Sequence, residues 1–277
     1  MKFRAKLLEA GSMRQFSNII TTLSKLAKNC VLRICADRLY FIVPEEHSIP
    51  YKISVWCILH KNEFFNAYEM VGDTDKNEIY LNFNSDMLAA SCGSIRGGGS
   101  SVVSLKIKLT HKVSPCITLE LELASSNSNS QMCIYDVPVT LVSKQDWVDY
   151  QEPEIDNFNI STQMPNTRVL KNIVDKLKKI NNKVIINATT DGALSLLVKA
   201  TTATIETHFK DLNVQSSNTS EDSASVCVDI RKLSQFLTCD AINPSTMVCN
   251  IVTNHMLNLC LSHTGFQLKY YLLGIDE

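Results

Sequence analysis

Chain breakers are scarce in this sequence: nine glycines and seven prolines among 277 residues. Long structureless linkers are therefore not expected. Charge of one sign is not in excess either, since 27 Lys and Arg stand against 28 Asp and Glu, a net −1. A uniformly basic surface is excluded, and any contact with nucleic acid has to come from local patches. No apolar stretch reaches the roughly 20 residues that a membrane span requires, so no membrane contact is expected. The ten cysteines occur singly with no CxxC pair, and residues 1–6 are charged, unlike a secretory leader. That usage fits reduced, mostly buried thiols in the cytosol or nucleus rather than a disulfide framework.

Catalytic signatures are equally thin. RGGGSS at 96–101 lacks the GxxxxGK[ST] spacing and lysine of a phosphate cradle, and it precedes a strand instead of opening a helix. The six histidines form no HxxxH or HxxEH pair, and no GxSxG elbow is present. His208 reads as a strand residue. No catalytic residue, metal or cofactor is expected. A hydrolase or nuclease with an unrecognised site is the competing reading from another class.

What the chain does have is hydrophobic content of 45%, arranged in short periodic runs. Alternation predicts strands over 2–8, 31–35, 39–43, 53–59, 78–83, 102–109, 117–123 and 132–142, with Pro138 marking an edge or bulge. Ser12 and Gln15 have capping-box spacing before a helix whose apolar face is Phe16, Ile19, Ile20, Leu23, Leu26 and Ala27. Ser85 is read as the cap of a second helix through Met87, Leu88 and Ile95, stopped by the glycines at 97–99. A turn is read at 125–130. Residues 144–158 are acidic and read as an exposed connector, with Trp147 as an anchor. The order then restarts: a strand at 158–163, a helix from Asn166, strands at 184–188, 194–199, 202–209 and 224–230, a polar loop at 215–223, a helix over 231–238, and strands at 247–252, 256–261 and 266–272. Each half reads strand, helix, four strands, helix, three strands. That is a repeat of architecture, an α+β arrangement of antiparallel sheets with helices on one face. The domains expected are 1–143 and 159–277, joined by 144–158.

The helices carry the charge of interest. Between 168 and 183 lie Arg168, Lys171, Lys176, Lys178, Lys179 and Lys183 with one acid, Asp175. Leu170, Ile173, Val174, Leu177 and Ile180 supply the apolar face of the same helix. On the first helix Arg14, Asn18, Thr21, Lys25 and Lys28 fall at spacings of three and four. Arg96 ends one short helix, and Arg231 and Lys232 begin the other. Such rows are either solvated helix faces or phosphate contacts, which position DNA without reading sequence. No aromatic platforms lie between the cations, so binding of single strands by stacking is disfavoured.

Several segments carry a family resemblance. LKYYL at 268–272, with Asp276 and Glu277 beyond, resembles the end of sliding clamps of the PCNA type. MKFRAK at 1–6, LAKNC at 26–30, NEIYL at 77–81, LKIKLT at 105–110, DVPV at 136–139, QEP at 151–153, THFKDL at 207–212, DIRKL at 229–233 and CNIV at 249–252 resemble one branch of that family. It is the Hus-one branch, the smallest subunit of the heterotrimeric DNA-damage checkpoint clamp, or nine-one-one ring. The resemblance implies a DNA-clamp fold of two topologically similar domains, each with two helices on the inner face of a six-domain ring.

It also implies a non-catalytic nuclear protein, with the cytoplasm as a second location. A clamp loader sets the ring on double-stranded DNA, without sequence specificity, at damage or stalled forks. The ring then recruits checkpoint and repair proteins. The ring neighbours implied are two paralogous clamp subunits. The DNA-facing residues are then Arg14, Lys25, Lys28, Arg96, Arg168, Lys171, Lys178 and Lys179. The subunit edges are Cys133, Ile134, Tyr135, Val137, Val139 and Leu141 on one strand and Thr204, Ile205, Thr207 and Phe209 on another. The partner groove falls near Val43, Trp147 and Tyr271. Asp175 stands where PCNA carries an arginine, which implies an uneven grip on DNA. A homotrimeric PCNA-like processivity clamp is the alternative.

Overall fold

The computed structural model describes residues 1–45, 53–72, 76–96, 102–124, 131–155, 157–201, 203–218 and 222–276. The side chains of residues 96, 240 and 241 lie outside the description, as do the glycine stop at 97–99 and the turn read at 125–130. The chain divides into two compact units. One is Met1–Glu152 with Thr264–Phe266, and the other is Pro153–His263 with Gln267–Glu277.

In the first unit the order is β1 (Lys2–Leu7), α1 (Ala10–Leu26), β2 (Asn29–Ile34), β3 (Arg38–Pro44), β4 (Ile53–His60), α2 (Lys61–Phe64), β5 (Ala67–Val71), β6 (Ile79–Asn84), α3 (Ser85–Ser91), α4 (Gly93–Arg96), β7 (Val102–His111), β8 (Pro115–Leu123) and β9 (Gln131–Leu141). A 3-10 helix, Lys144–Tyr150, follows. The second unit holds β10 (Ile160–Gln163), α5 (Thr167–Leu177), β11 (Lys183–Thr189), β12 (Leu194–Lys199), β13 (Thr204–Phe209), β14 (Val214–Ser217), β15 (Ser223–Asp229), α6 (Ile230–Phe236), a 3-10 helix (Leu237–Ile242), β16 (Thr246–Val252), β17 (Met256–His263) and β18 (Phe266–Leu273).

The repeat carries five strands between its helices rather than four. The additions are β5, where no strand was read, and β14, where a loop was read. Each is a short edge strand paired only with the strand that opens its unit, β5 with β1 and β14 with β10. With them the two topologies coincide. The first unit contains β4-β3-β2-β6 and β9-β8-β7-β1-β5; the second contains β13-β12-β11-β15 and β18-β17-β16-β10-β14. The pairings are antiparallel.

Helices form where an apolar face has a sheet to cover. Met13, Phe16, Ile19, Ile20 and Leu23 of α1 are buried, and Phe16 meets Phe41, which meets Phe83. Truncating a fully buried residue such as Leu23 to alanine costs about 2–5 kcal/mol. The helix starts at Ala10, before the expected Ser12, and Glu9 makes no side-chain cap. Ser12 therefore lies inside the helix instead of capping it, and the first turn closes with the Met13 N–H on the Glu9 carbonyl at 3.0 Å. At α3 the cap is Asn84, not Ser85, since the Asn84 Oδ1 accepts from the Met87 N–H at 3.1 Å. Ser85 is instead the first helical residue, buried, and its hydroxyl donates to the Lys28 carbonyl at 3.1 Å and to that of Ala27. Helix α3 stops at Ser91 and α4 restarts the turn, so the single helix read through Ile95 is two short ones, and Met87 is 45% exposed.

In the second unit Asn166 caps α5, its Oδ1 accepting from the N–H groups of Arg168 and Val169. Leu170, Val174 and Leu177 are buried, while Ile180, expected on that face, lies past the helix end and is 42% exposed. Phe236 of α6 stacks on Tyr270 of β18 with ring centroids 5.0 Å apart.

A buried polar ladder crosses this unit's larger sheet. The Ser161 hydroxyl donates to Asn250 Oδ1 at 2.5 Å, and Asn250 Nδ2 donates to Asn258 Oδ1 at 2.9 Å. These groups satisfy one another only in the native strand register, which a one-residue slip would break. Asn258→Ala leaves the Asn250 amide buried without its acceptor. It should lower unfolding stability by about 2 kcal/mol, read as a lower denaturant midpoint. Stability within a few tenths of a kcal/mol of wild type would show that the ladder contributes little.

Candidate nucleic-acid interface and strand edges

Arg14 and Lys25 are exposed on α1, and Lys28 is exposed just beyond its end. Asn18 and Thr21, between Arg14 and Lys25 on the same face, are half-buried, and no acid interrupts this row. Helix α4 ends at Arg96. On α5 Arg168, Lys178 and Lys179 are exposed and Lys171 is half-buried. Lys178 is the C-cap, where a cation is favoured by the helix dipole.

Asp175 is not an idle blemish in the α5 row. Its Oδ1 accepts from Lys178 Nζ at 2.5 Å and from the Ser234 hydroxyl at 2.9 Å, and Lys178 Nζ lies 3.0 Å from the Ser234 Oγ. The carboxylate thus ties α5 to α6. In the first unit the Ser17 hydroxyl ties α1 to the Cys92 carbonyl at 3.2 Å, a neutral counterpart. The Lys178 bond, outweighing partial burial and helped by Ser234, holds the Asp175 carboxyl below the usual carboxylate range.

Strand edges decide where backbone groups remain unpaired. Residues 131–138 of β9 pair with β8 on one side, and only Val139–Leu141 pair with β6 on the other. Cys133 and Tyr135 are half-buried, Ile134 and Leu141 are exposed, and Val137 and Val139 are buried. Strand β13 pairs with β12 alone. Ile205, Thr207 and Phe209 are half-buried and Thr204 is exposed. Strand β15 is also terminal in that sheet, but its Ser225 and Cys227 carbonyls accept from Asn254 and Ile275 N–H groups at 2.9 and 2.8 Å. Its edge is covered, whereas no such bond covers β13 among the described residues.

The acidic connector begins as the 3-10 helix rather than an open loop. Trp147 stacks on Tyr80 at 4.4 Å and donates Nε1–H to the Val142 carbonyl at 3.2 Å. Beside it is a cavity of about 550 Å³ lined by Arg33, Lys76, Glu78, Tyr80, Lys144, Trp147, Val148 and Gln151. Arg33 pairs with Glu78 at 2.8 Å, both side chains 15% exposed, and lies over the Tyr40 and Tyr80 rings. Gln151 accepts from Arg33 and donates to Tyr80 Oη and the Trp147 carbonyl. Burial raises the Glu78 pKa, but Arg33 outweighs it and the carboxyl stays below its ordinary value. Val43 and Tyr271 are buried residues of β3 and β18, and neither lines this cavity. Sequence reasoning missed the Arg33–Glu78–Tyr80 cluster; an arginine inside an otherwise apolar strand was its one local signal.

Among the described residues no cysteine forms a disulfide, and eight of the ten are buried. Burial pushes the Cys30 and Cys249 thiols up to about 12, too high for thiolate chemistry at neutral pH. Among the described residues no three His, Cys, Asp or Glu side chains group to hold a metal ion, and no helix is long and apolar enough to cross a membrane.

The twice-repeated topology is that of a PCNA-type clamp. Proliferating cellular nuclear antigen from Entamoeba histolytica superposes with a TM-score of 0.72, covering 99% of both chains at 11% identity. PCNA from Thermococcus kodakaraensis gives 0.70 at 15% identity, covering 98% of this chain and 99% of the other. At residue level the similarity is narrower. The family model described as Hus1-like protein matches residues 1–276. Checkpoint protein HUS1 of Homo sapiens is 37% identical over 285 residues, covering 100% of each chain. Checkpoint protein Hus1-like of Drosophila melanogaster is 32% identical over 261 residues, covering 94% of this chain and 93% of the relative. The chain belongs to the Hus1-like protein family.

A carboxyl whose pKa is depressed by folding stabilises the native state above its unfolded pKa of about 3.9 and loses that contribution as pH falls through the folded value. Asp175→Asn should therefore be less stable than wild type at pH 7, by at most about 1 kcal/mol for so exposed a pair. The difference should close on acidification below about pH 4. A difference that persists unchanged at low pH would assign the effect to packing instead of charge.

Proposed function

We propose that this chain is a non-catalytic subunit of a heterotrimeric ring clamp. A clamp loader places the ring around double-stranded DNA in the nucleus, at damage or stalled forks, where it recruits checkpoint and repair proteins. Membership of the Hus1-like family over residues 1–276 carries the reading. The exposed edges of β9 and β13, one in each unit, support it chemically. Open N–H and C=O rows suit strand addition by neighbouring subunits, with Pro138 unable to donate at its position. Two paralogous subunits would supply the neighbouring strands.

In this reading Arg14, Lys25, Lys28, Arg168, Lys171, Lys178 and Lys179 face the duplex, and the Arg96 side chain lies outside the described residues. Those that face it touch phosphates, so binding is indifferent to sequence and weakens with salt. Asp175 lowers the charge of the α5 row and engages Lys178, so the grip on this side is looser than α1 provides. The Trp147 cavity, lined from within the first unit, is where recruited proteins dock. A homotrimeric processivity clamp is not favoured: the full-length relatives are checkpoint proteins by name, and the PCNA structures share 11% and 15% identity and the fold.

Charge reversal at Lys171 and Lys178 should shorten retention of the assembled ring on circular or end-blocked DNA at low salt, with no loss of ring assembly. Asp175→Asn should act in the opposite direction. Unchanged retention in the double variant would remove α5 from the DNA-facing surface.

A further inference from the structure

The sheet formed by β5, β1, β7, β8 and β9 exposes a row of cations that has no part in the surfaces described above. Lys2, Arg4 and Lys6 alternate along β1 with the buried Phe3, Ala5 and Leu7. Leu8 continues the row past the strand end and is 46% exposed. Arg4 stands directly opposite Lys108 of β7, and Lys6 directly opposite Lys106. Like charges opposed across a strand pair destabilise a sheet. Two consecutive pairs of this kind are a local cost, offset in part where Lys108 is paired with Glu120.

The same face shows how it handles carboxylates. Glu120 of β8 reaches Lys108 at 2.6 Å, and Asp136 of β9 reaches Lys112 at 2.6 Å. These cations are compensated from within the chain. Among the described residues Lys2, Arg4, Lys6 and Lys106 have no ion pair, even though Glu69 lies opposite Arg4 in the β5 register and Glu120, engaged with Lys108, lies opposite Lys106 in the β8 register.

The geometry points to this row as a docking surface for an acidic segment of a partner protein, bound in extended form with carboxylates at every second position. Alternate residues of a strand repeat at about 6.7 Å, and an extended peptide repeats at the same spacing. Carboxylates at positions i, i+2 and i+4 would then meet Lys2, Arg4 and Lys6, with Lys106 beside the last. The surroundings favour a peptide over a nucleic acid. Glu69 and Glu120 flank the row and would oppose an unbroken phosphate backbone. Tyr68 on β5 is buried, and this row offers no exposed ring on which bases could stack. Leu8 at one end and Val71, opposite Lys2 and 59% exposed, at the other offer apolar contacts that a peptide's side chains can use.

The test measures fluorescence anisotropy with the intact chain and a short labelled peptide alternating glutamate and valine. A peptide of the same composition with its glutamates in one block and a DNA duplex of matched charge serve as comparisons. The alternating peptide should bind best, more weakly as salt rises. Replacing Arg4 and Lys106 by threonine removes one cation from each opposed pair. It should weaken peptide binding roughly tenfold while leaving the melting temperature unchanged or higher. Lys2→Ser, at the strand end, should weaken binding without touching either pair. Equal binding of the block peptide, preference for the duplex, or no binding by wild type would overturn the proposal. So would a double variant that melts lower yet binds normally.

Discussion

Backbone hydrogen bonding is the constraint on which this structure rests. Each strand presents donors and acceptors on two edges, and leaving them bare and buried is costly. The fold meets that demand twice by the same route. The opening strand of each unit lies between a short edge strand and the first strand after the second helix, β1 between β5 and β7 and β10 between β14 and β16. Where a terminal strand is buried, as β15 is, N–H groups from Asn254 and Ile275 cover it. Besides the short edges of β5 and β14, the edges left open on β9 and β13 lie on strands whose side chains are only partly buried. In the proposed ring, strand pairing between subunits would complete the same arrangement.

The helices translate this framework into charge. Their apolar faces are buried, which fixes which side chains look outward, and the cations occupy positions that cost little. Lys178 caps α5 and Lys28 follows the end of α1, where the helix dipole favours positive charge. Asp175, bonded to Lys178 and Ser234, joins α5 to α6 while reducing the charge of its row. One carboxylate therefore lowers the positive charge of its row while holding two helices together.

Much of the fold was legible in the sequence because half-buried strands alternate and α1 and α5 carry strong apolar faces. The duplicated order emerged from those signals alone. Strands β5 and β14 escaped because AYEMV and VQSS hold no clean alternation, and only pairing with β1 and β10 makes them strands. Caps were misread at Ser12 and Ser85, where an earlier helix start and a tertiary bond to the end of α1 override the local pattern. The basic rows could be listed from spacing, but the role of Asp175 could not, since Ser234 lies 59 residues away in sequence. The Arg33 cluster was invisible for the same reason: Arg33 and Tyr80 become neighbours only through the β2–β6 register.

In the proposed ring, β9 and β13 are the edges through which this chain joins its neighbours. Amide hydrogen exchange on the isolated chain and on the ring assembled with its partner subunits tests it most directly. Protection should rise on assembly over 131–137 and over Thr204–Phe209, while the β5 and β14 edges exchange as before. Unchanged exchange on β9 and β13, or new protection confined to β5 and β14, would contradict it.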